Sequence, residues 1–243
     1  MTLRNQQRDR LQQTIDWARK TEETLAEVRR RHLGEVHFRP GSTGISMVGL
    51  RPDRPQRGKS AISNLNRLAA DFERLFRKHC VDCDHGRPTP EKLLQSVLVA
   101  EAYRTGRKLA SLCGGDAPLF VTDELSLPVE RGRIVCDLLA LDGDRPAVIE
   151  LKPARAMKRL VEQVTAYSAL VDEHLDLFEA LYSVVLGRPV SLMSPCERWI
   201  VWPAVPGRDR DPREDELAAL GVRVVGYAES EGGFEFLEAA VPR

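Results

Sequence analysis

The sequence predicts an α/β protein with a mixed central sheet flanked by helices, preceded by a helical N-terminal extension. Three observations lead there. Residues 4–31 run without Gly or Pro in helix-forming residues. From residue 89 a helical stretch gives way to several short β-like runs. Beyond residue 155 helical periodicity returns, and one more strand pattern follows it, so the order is α, three strands, α, strand.

In residues 4–31, Leu11, Ile15, Ala18, Leu25 and Val28 fall near one stripe, the mark of a long amphipathic helix. Residues 39–58, "RPGSTGISMVGLRPDRPQRG", carry Gly and Pro throughout and read as a linker or irregular loop. Residues 60–79 return to helical spacing through Leu65, Leu68, Phe72, Leu75 and Phe76, a partner for the first helix. The domains expected are therefore 1–80, a long helix, a linker and a second helix, and 81–243, the sheet-bearing unit.

The second unit opens with "TPEKLLQSVLVAEAYRTG". Thr89 suits the N-cap, Pro90 the first helical position and Gly106 the stop. Leu125, Leu127 and Val129 alternate, "RIVCDLLAL" is β-like, Asp142-Gly143-Asp144 signals a turn, and "PAVIEL" is the strand that returns from it. Residues 155–172 and 175–186 read as helices, "RWIVWP" as a strand, and "VRVVGY" and "FEFLEA" as weaker strands. No repeat or low-complexity tract is visible.

The 243 residues, 42% hydrophobic, suffice for one core or two without metal or disulfide support. Five cysteines and no basic, apolar leader argue against a secreted disulfide scaffold, so reduced thiols and a cytoplasmic setting are expected. The apolar runs are far shorter than the roughly 20 residues of a membrane span, so no membrane contact is expected. The net charge of +0 conceals a balance of +8 over residues 1–79 and −8 over the rest. A basic first third is compatible with a grip on nucleic acid, and equally with a solvated helical face or pairing between the halves.

The chemistry concentrates where charges interrupt strands. On a strand Val148, Glu150 and Lys152 share one face, so a carboxylate and an ammonium leave the sheet together. Asp137 interrupts the apolar "RIVCDLLAL", and a turn at residues 143 and 144 sets it almost opposite Glu150. Two carboxylates so close repel one another, and one tends to stay protonated unless a divalent cation intervenes. Mg²⁺ takes such oxygens together with water and phosphate, and a neighbouring lysine can orient the attacking water.

Asp137, then Glu150-Leu151-Lys152 on the next strand, resembles the motif of the PD-(D/E)XK nuclease superfamily. The proline that the family places before the first acid is Cys136 here. Gln163 and Tyr167, in "QVTAY" on the following helix, are similar to the QxxxY signature of the RecB-type branch. The likeness spans residues 89–203 and leaves residues 1–80 uncovered. It implies a restriction-endonuclease-like αβββαβ core that hydrolyses DNA with Mg²⁺ or Mn²⁺. By the same likeness, Asp137 and Glu150 would bind metal, Lys152 would assist the water, and Gln163 with Tyr167 would support the site or touch the DNA backbone. The family also places a glutamate on the helix before the three strands. Glu91 is the candidate and Glu101 the reserve, although Glu91 also suits the dipole of a helix's first turn. Arg155, Lys158 and Arg159 are candidate phosphate contacts. The N-terminal helices would position substrate, form a homodimer or dock a protein partner.

Other readings stay open. The fold can survive as a catalytically silent module that binds nucleic acid or protein within a larger complex, or the strand charges can simply be paired in an interaction protein. Cys80, Cys83, His79 and His85 share one short window, but no second Cys-x-x-Cys exists to complete a structural zinc site, and ordinary thiols are the simpler reading. Only Cys196 follows the QxxxY helix, so the iron-sulfur arrangement of some RecB-type exonucleases is not expected. No phosphate-binding Gly loop, serine elbow or zinc-protease helix is present in the sequence. Trp199 and Trp202 should face opposite sides of one strand, both in core.

Overall fold

A computed structural model describes residues 2–51, 54–82, 89–113, 116–153, 157–204, 212–230 and 233–237. Its main sheet has six strands in the order β4-β5-β6-β7-β8-β9. An N-terminal sheet of three strands, in the order β1-β2-β3, stands beside it. The helix α1 (Leu3–Arg31) precedes both, started by Thr2, whose hydroxyl accepts from the Asn5 N–H.

In the main sheet β4 (Leu119–Val129), β5 (Gly132–Asp142) and β6 (Arg145–Leu151) form an antiparallel meander. The predicted turn closes it, with Gly143 at φ 61° and Asp142 paired to Arg145. β7 (Glu197–Pro203) then runs parallel to β6, β8 (Val222–Ser230) parallel to β7, and β9 (Gly233–Leu237) antiparallel to β8. The first parallel step is made by α5 (Met157–Glu173) and α6 (Leu175–Leu186), the second by α7 (Pro212–Ala219). Parallel neighbours require such a crossover, since a tight turn only reverses the chain.

Both faces of this sheet are covered, which is why its central strands read as near-continuous apolar runs. On one face Leu139, Val148, Ile200 and Trp202 pack with Leu11 and Ile15 of α1, Val164 of α5 and Phe178 of α6. On the other, Leu138, Ile149, Trp199 and Val201 pack with Leu94 and Leu98 of α4 (Pro90–Arg104). Trp199 and Trp202 thus lie in opposite layers, both fully buried. Thr89 caps α4 as the sequence predicts, its hydroxyl accepting from the Lys92 N–H, and the helix stops before Gly106 at φ 67°.

The expected linker at residues 39–58 is instead most of the N-terminal sheet. β1 (Val36–Pro40), β2 (Ile45–Arg51) and β3 (Arg54–Ile62) pair antiparallel in succession. The glycines that suggested irregular chain serve close approach. A Cβ on Gly58 would stand 1.7 Å from the Met47 carbonyl oxygen, and one on Gly49 would stand 2.7 Å from the Cys80 Cβ. The helix expected over 60–79 likewise begins only after β3, as α2 (Leu65–Ala70) and α3 (Phe72–Phe76), followed by a π-helical turn over Arg77–Val81.

A third apolar cluster joins Val36, Phe38, Ile45, Met47, Leu65, Leu68 and Phe72 to Leu25 of α1. Since Leu11 and Ile15 belong to the main core, one helix serves both clusters. No described helix is long and apolar enough to cross a membrane.

Candidate active site

The β5–β6 ladder keeps one register from Asp142↔Arg145 to Leu138↔Ile149, which makes Asp137 and Glu150 the next opposed pair. There the ladder gives way to side-chain bonding. Asp137 Oδ2 accepts from the Leu151 N–H at 2.8 Å. Lys152 Nζ stands 3.3 Å from Asp137 Oδ2 and 3.3 Å from Glu150 Oε2, between the two carboxylates. Its backbone is anchored by the sheet. The Lys152 N–H donates to the Val201 carbonyl at 2.9 Å, and its own carbonyl accepts from the Tyr227 hydroxyl at 3.3 Å.

Helix α5 completes the wall. Gln163 Nε2 donates to Glu150 Oε2 at 2.7 Å and to the Val135 carbonyl at 3.2 Å, spanning both strands. One turn on, Tyr167 is fully buried, and its hydroxyl donates to the Leu125 carbonyl of β4 at 3.0 Å. Gln163 therefore touches the acidic pair, whereas Tyr167 ties α5 to the sheet behind it.

Burial sets the electrostatics. Glu150 is 0% exposed, its Oε1 has no hydrogen-bond partner among the described residues, and its pKa is pushed up to about 9, first by burial and then by the Asp137 charge. Lys152 pays for its own burial, yet Asp137 and Glu150 outweigh that and raise its pKa, so it stays charged. Glu91, half-buried in the first turn of α4, also has a raised pKa, through burial and then the Asp137 charge. Glu101 sits elsewhere, its Oε1 accepting from the Ser111 N–H at 3.0 Å and hydroxyl at 2.7 Å. Of the two helix-borne acids, Glu91 is the one within the field of the pair.

The donors present suit a hard divalent cation. A fully buried carboxylate with an orphaned oxygen opposes a second carboxylate, and positive charge there would relieve both. Among the described residues no group of three or more His, Cys, Asp or Glu side chains is gathered as a ligating cluster. The fit is to an ion that takes two carboxylates and completes its shell with water and phosphate. Arg155 lies outside the described residues, as do the side chains of Lys158 and Arg159. Of the cysteine–histidine window, Cys80 is buried in the N-terminal core, while Cys83 and His85 lie outside the described residues.

A second polar cluster, unforeseen from the sequence, adjoins the pair. Asp123 of β4 is buried and takes Arg39 bidentately, Nε to Oδ1 at 2.6 Å and Nη2 to Oδ2 at 2.5 Å. His37 Nε2 reaches Asp123 Oδ1 at 2.8 Å and Nδ1 the Tyr103 hydroxyl at 2.7 Å. Burial lowers the His37 pKa. A neutral ring with its proton on Nε2 would donate to Asp123 and accept from Tyr103. Although burial opposes it, Arg39 and His37 hold the Asp123 carboxyl far below its ordinary range. The signal for this cluster was "TDE" inside the apolar "LFVTDELSLPV", two acids within one strand.

A scan against protein-family models finds no match, and searches among curated proteins and solved structures find none either.

Proposed function

We propose that this chain is a Mg²⁺- or Mn²⁺-dependent nuclease hydrolysing DNA phosphodiester bonds, built on a restriction-endonuclease-like core. The observation that carries the reading is the pair of opposed carboxylates with Lys152 Nζ 3.3 Å from each, the Glu150 Oε1 having no partner among the described residues. The order α4-β4-β5-β6-α5, followed by β7 parallel to β6, supports the fold assignment.

Asp137 and Glu150 would hold the ion, with Glu91 adding negative charge from α4. A bound Mg²⁺ supplies charge stabilisation on the scissile phosphate and makes water more acidic. Lys152, kept cationic by its two neighbours, acts as a hydrogen-bond donor to the attacking water or a phosphate oxygen rather than as a base. Gln163 fixes the Glu150 carboxylate, and Tyr167 fixes the helix that carries Gln163. The candidate phosphate contacts Arg155, Lys158 and Arg159 follow the motif in sequence.

The test is cleavage of labelled single-stranded, double-stranded and branched DNA with Mg²⁺ or Mn²⁺, against a chelator and against Asp137→Ala and Lys152→Ala. Chelator-sensitive cutting lost in both variants is expected. DNA binding without cutting in the wild type would replace the proposal with a silent binding module.

A further inference from the structure

Resting on the nuclease reading, we propose that strand β1 of the N-terminal sheet is a working part of the active site, with Arg39 a positioning residue for Asp137. β4 pairs Asp123 with Leu138 and Leu125 with Cys136, so Glu124 occupies the register position opposite Asp137. Glu124, Asp137 and Glu150 therefore stand in one row across three adjacent strands.

The row is not regular sheet. Glu124 has φ 47°, a left-handed conformation that is strained for such a residue. Across from it β5 departs from alternation, because Cys136 belongs to the α5-facing core and Leu138 to the α4-facing one. Asp137 sits at that bend.

Two cations hold the Glu124 carboxylate. Arg39 Nη1 binds Glu124 Oε2 at 2.6 Å, and Lys92 of α4 binds Oε1. The same Arg39 grips Asp123 with its other two nitrogens. Gln95, 1% exposed, then carries the contact onward. Its Nε2 is shared between Asp123 Oδ2 at 3.1 Å and the Asp137 carbonyl at 3.3 Å, while its Oε1 accepts from Lys92 at 3.0 Å.

Arg39 thus reaches the Asp137 backbone through one carboxylate and one amide, and fixes the residue opposite Asp137 directly. A joint that merely glued two sheets together would be as stable with apolar residues, since buried ion pairs contribute little net stability. What a buried fork does supply is fixed geometry. Here the geometry delivered is the placement of one carboxylate against another.

Two variants separate positioning from folding. Arg39→Lys keeps the charge and loses the fork, and Gln95→Met keeps the volume and loses the amide. Each is compared with wild type for thermal unfolding, for Mn²⁺ affinity by titration calorimetry without DNA, and for kcat and KM on a DNA oligonucleotide. The expected result is a folded protein with Mn²⁺ affinity and kcat reduced about 10-fold or more, in the range seen when groups supporting metal ligands are removed. KM for DNA should change less than about twofold, since neither side chain is assigned to substrate. Folded variants with unchanged Mn²⁺ affinity and kcat would overturn the proposal. Loss of folding in both would overturn it too, the cluster then serving stability alone. A wild type that neither binds Mn²⁺ nor cuts would defeat the nuclease reading and this inference together, a result distinct from a wild type that cuts and variants that match it.

Discussion

Replacing Glu150 by Gln should stabilise the metal-free protein, and by an amount that depends on pH. The folded protein holds this carboxyl near a pKa of about 9, against an ordinary 4.5, because it is buried beside Asp137. A group whose folded pKa is raised contributes most below its unfolded value and loses stability as pH climbs toward the folded one. Each pH unit in that window costs about 1.4 kcal/mol, so at pH 7 the penalty is on the order of 3 kcal/mol. Glu150→Gln carries no proton to lose. Urea unfolding in chelator at pH 5, 7 and 9 should therefore show wild type and variant nearly equal at pH 5 and diverging upward. Asp137→Asn should reduce the wild-type slope, since the second cause of the shift is then gone. Added Mg²⁺ should restore the wild type at pH 7 and leave Glu150→Gln unmoved. Parallel pH profiles for wild type and Glu150→Gln would refute the argument that burial and Asp137 hold the proton on Glu150.

Lys152→Met leaves the two carboxylates facing without their ammonium, and DNA cleavage should fall by about 10²–10³-fold, as when one transition-state donor is removed; single-turnover rates at saturating Mn²⁺ measure it. Tyr167→Phe removes a buried hydrogen bond to the Leu125 carbonyl, so thermal denaturation should report a loss of about 1–3 kcal/mol. Burial pushes the Cys136 and Cys196 thiols well up, so neither should react with iodoacetamide at pH 8 until denaturant opens the fold, as read by mass spectrometry.

The main sheet was legible because each element carries its own local signal. Thr89 and Pro90 start α4, Gly143 turns β5 into β6, and the alternation of Trp199, Ile200, Val201 and Trp202 places two tryptophans in two layers. The Asp137–Glu150 opposition followed from counting residues either side of that turn, because register is fixed once the turn is. The N-terminal sheet was missed because Gly49 and Gly58 look like loop residues until the atoms they admit, a cysteine side chain and a carbonyl, are known. The Asp123 cluster was missed for a different reason. His37 and Arg39 meet Asp123 across more than 80 positions of chain, and no local pattern records such a meeting.

The double duty of α1 bears on how this protein can be divided. Leu11 and Ile15 close the main sheet's outer layer, while Leu25 closes the N-terminal core. A shortened polypeptide beginning at residue 81 would retain every residue of the acidic pair's motif yet bare an oily face where α1 had lain. Such a fragment should aggregate rather than cut, and a shortened protein meant to keep both cores closed must retain α1 from Leu11 through Leu25.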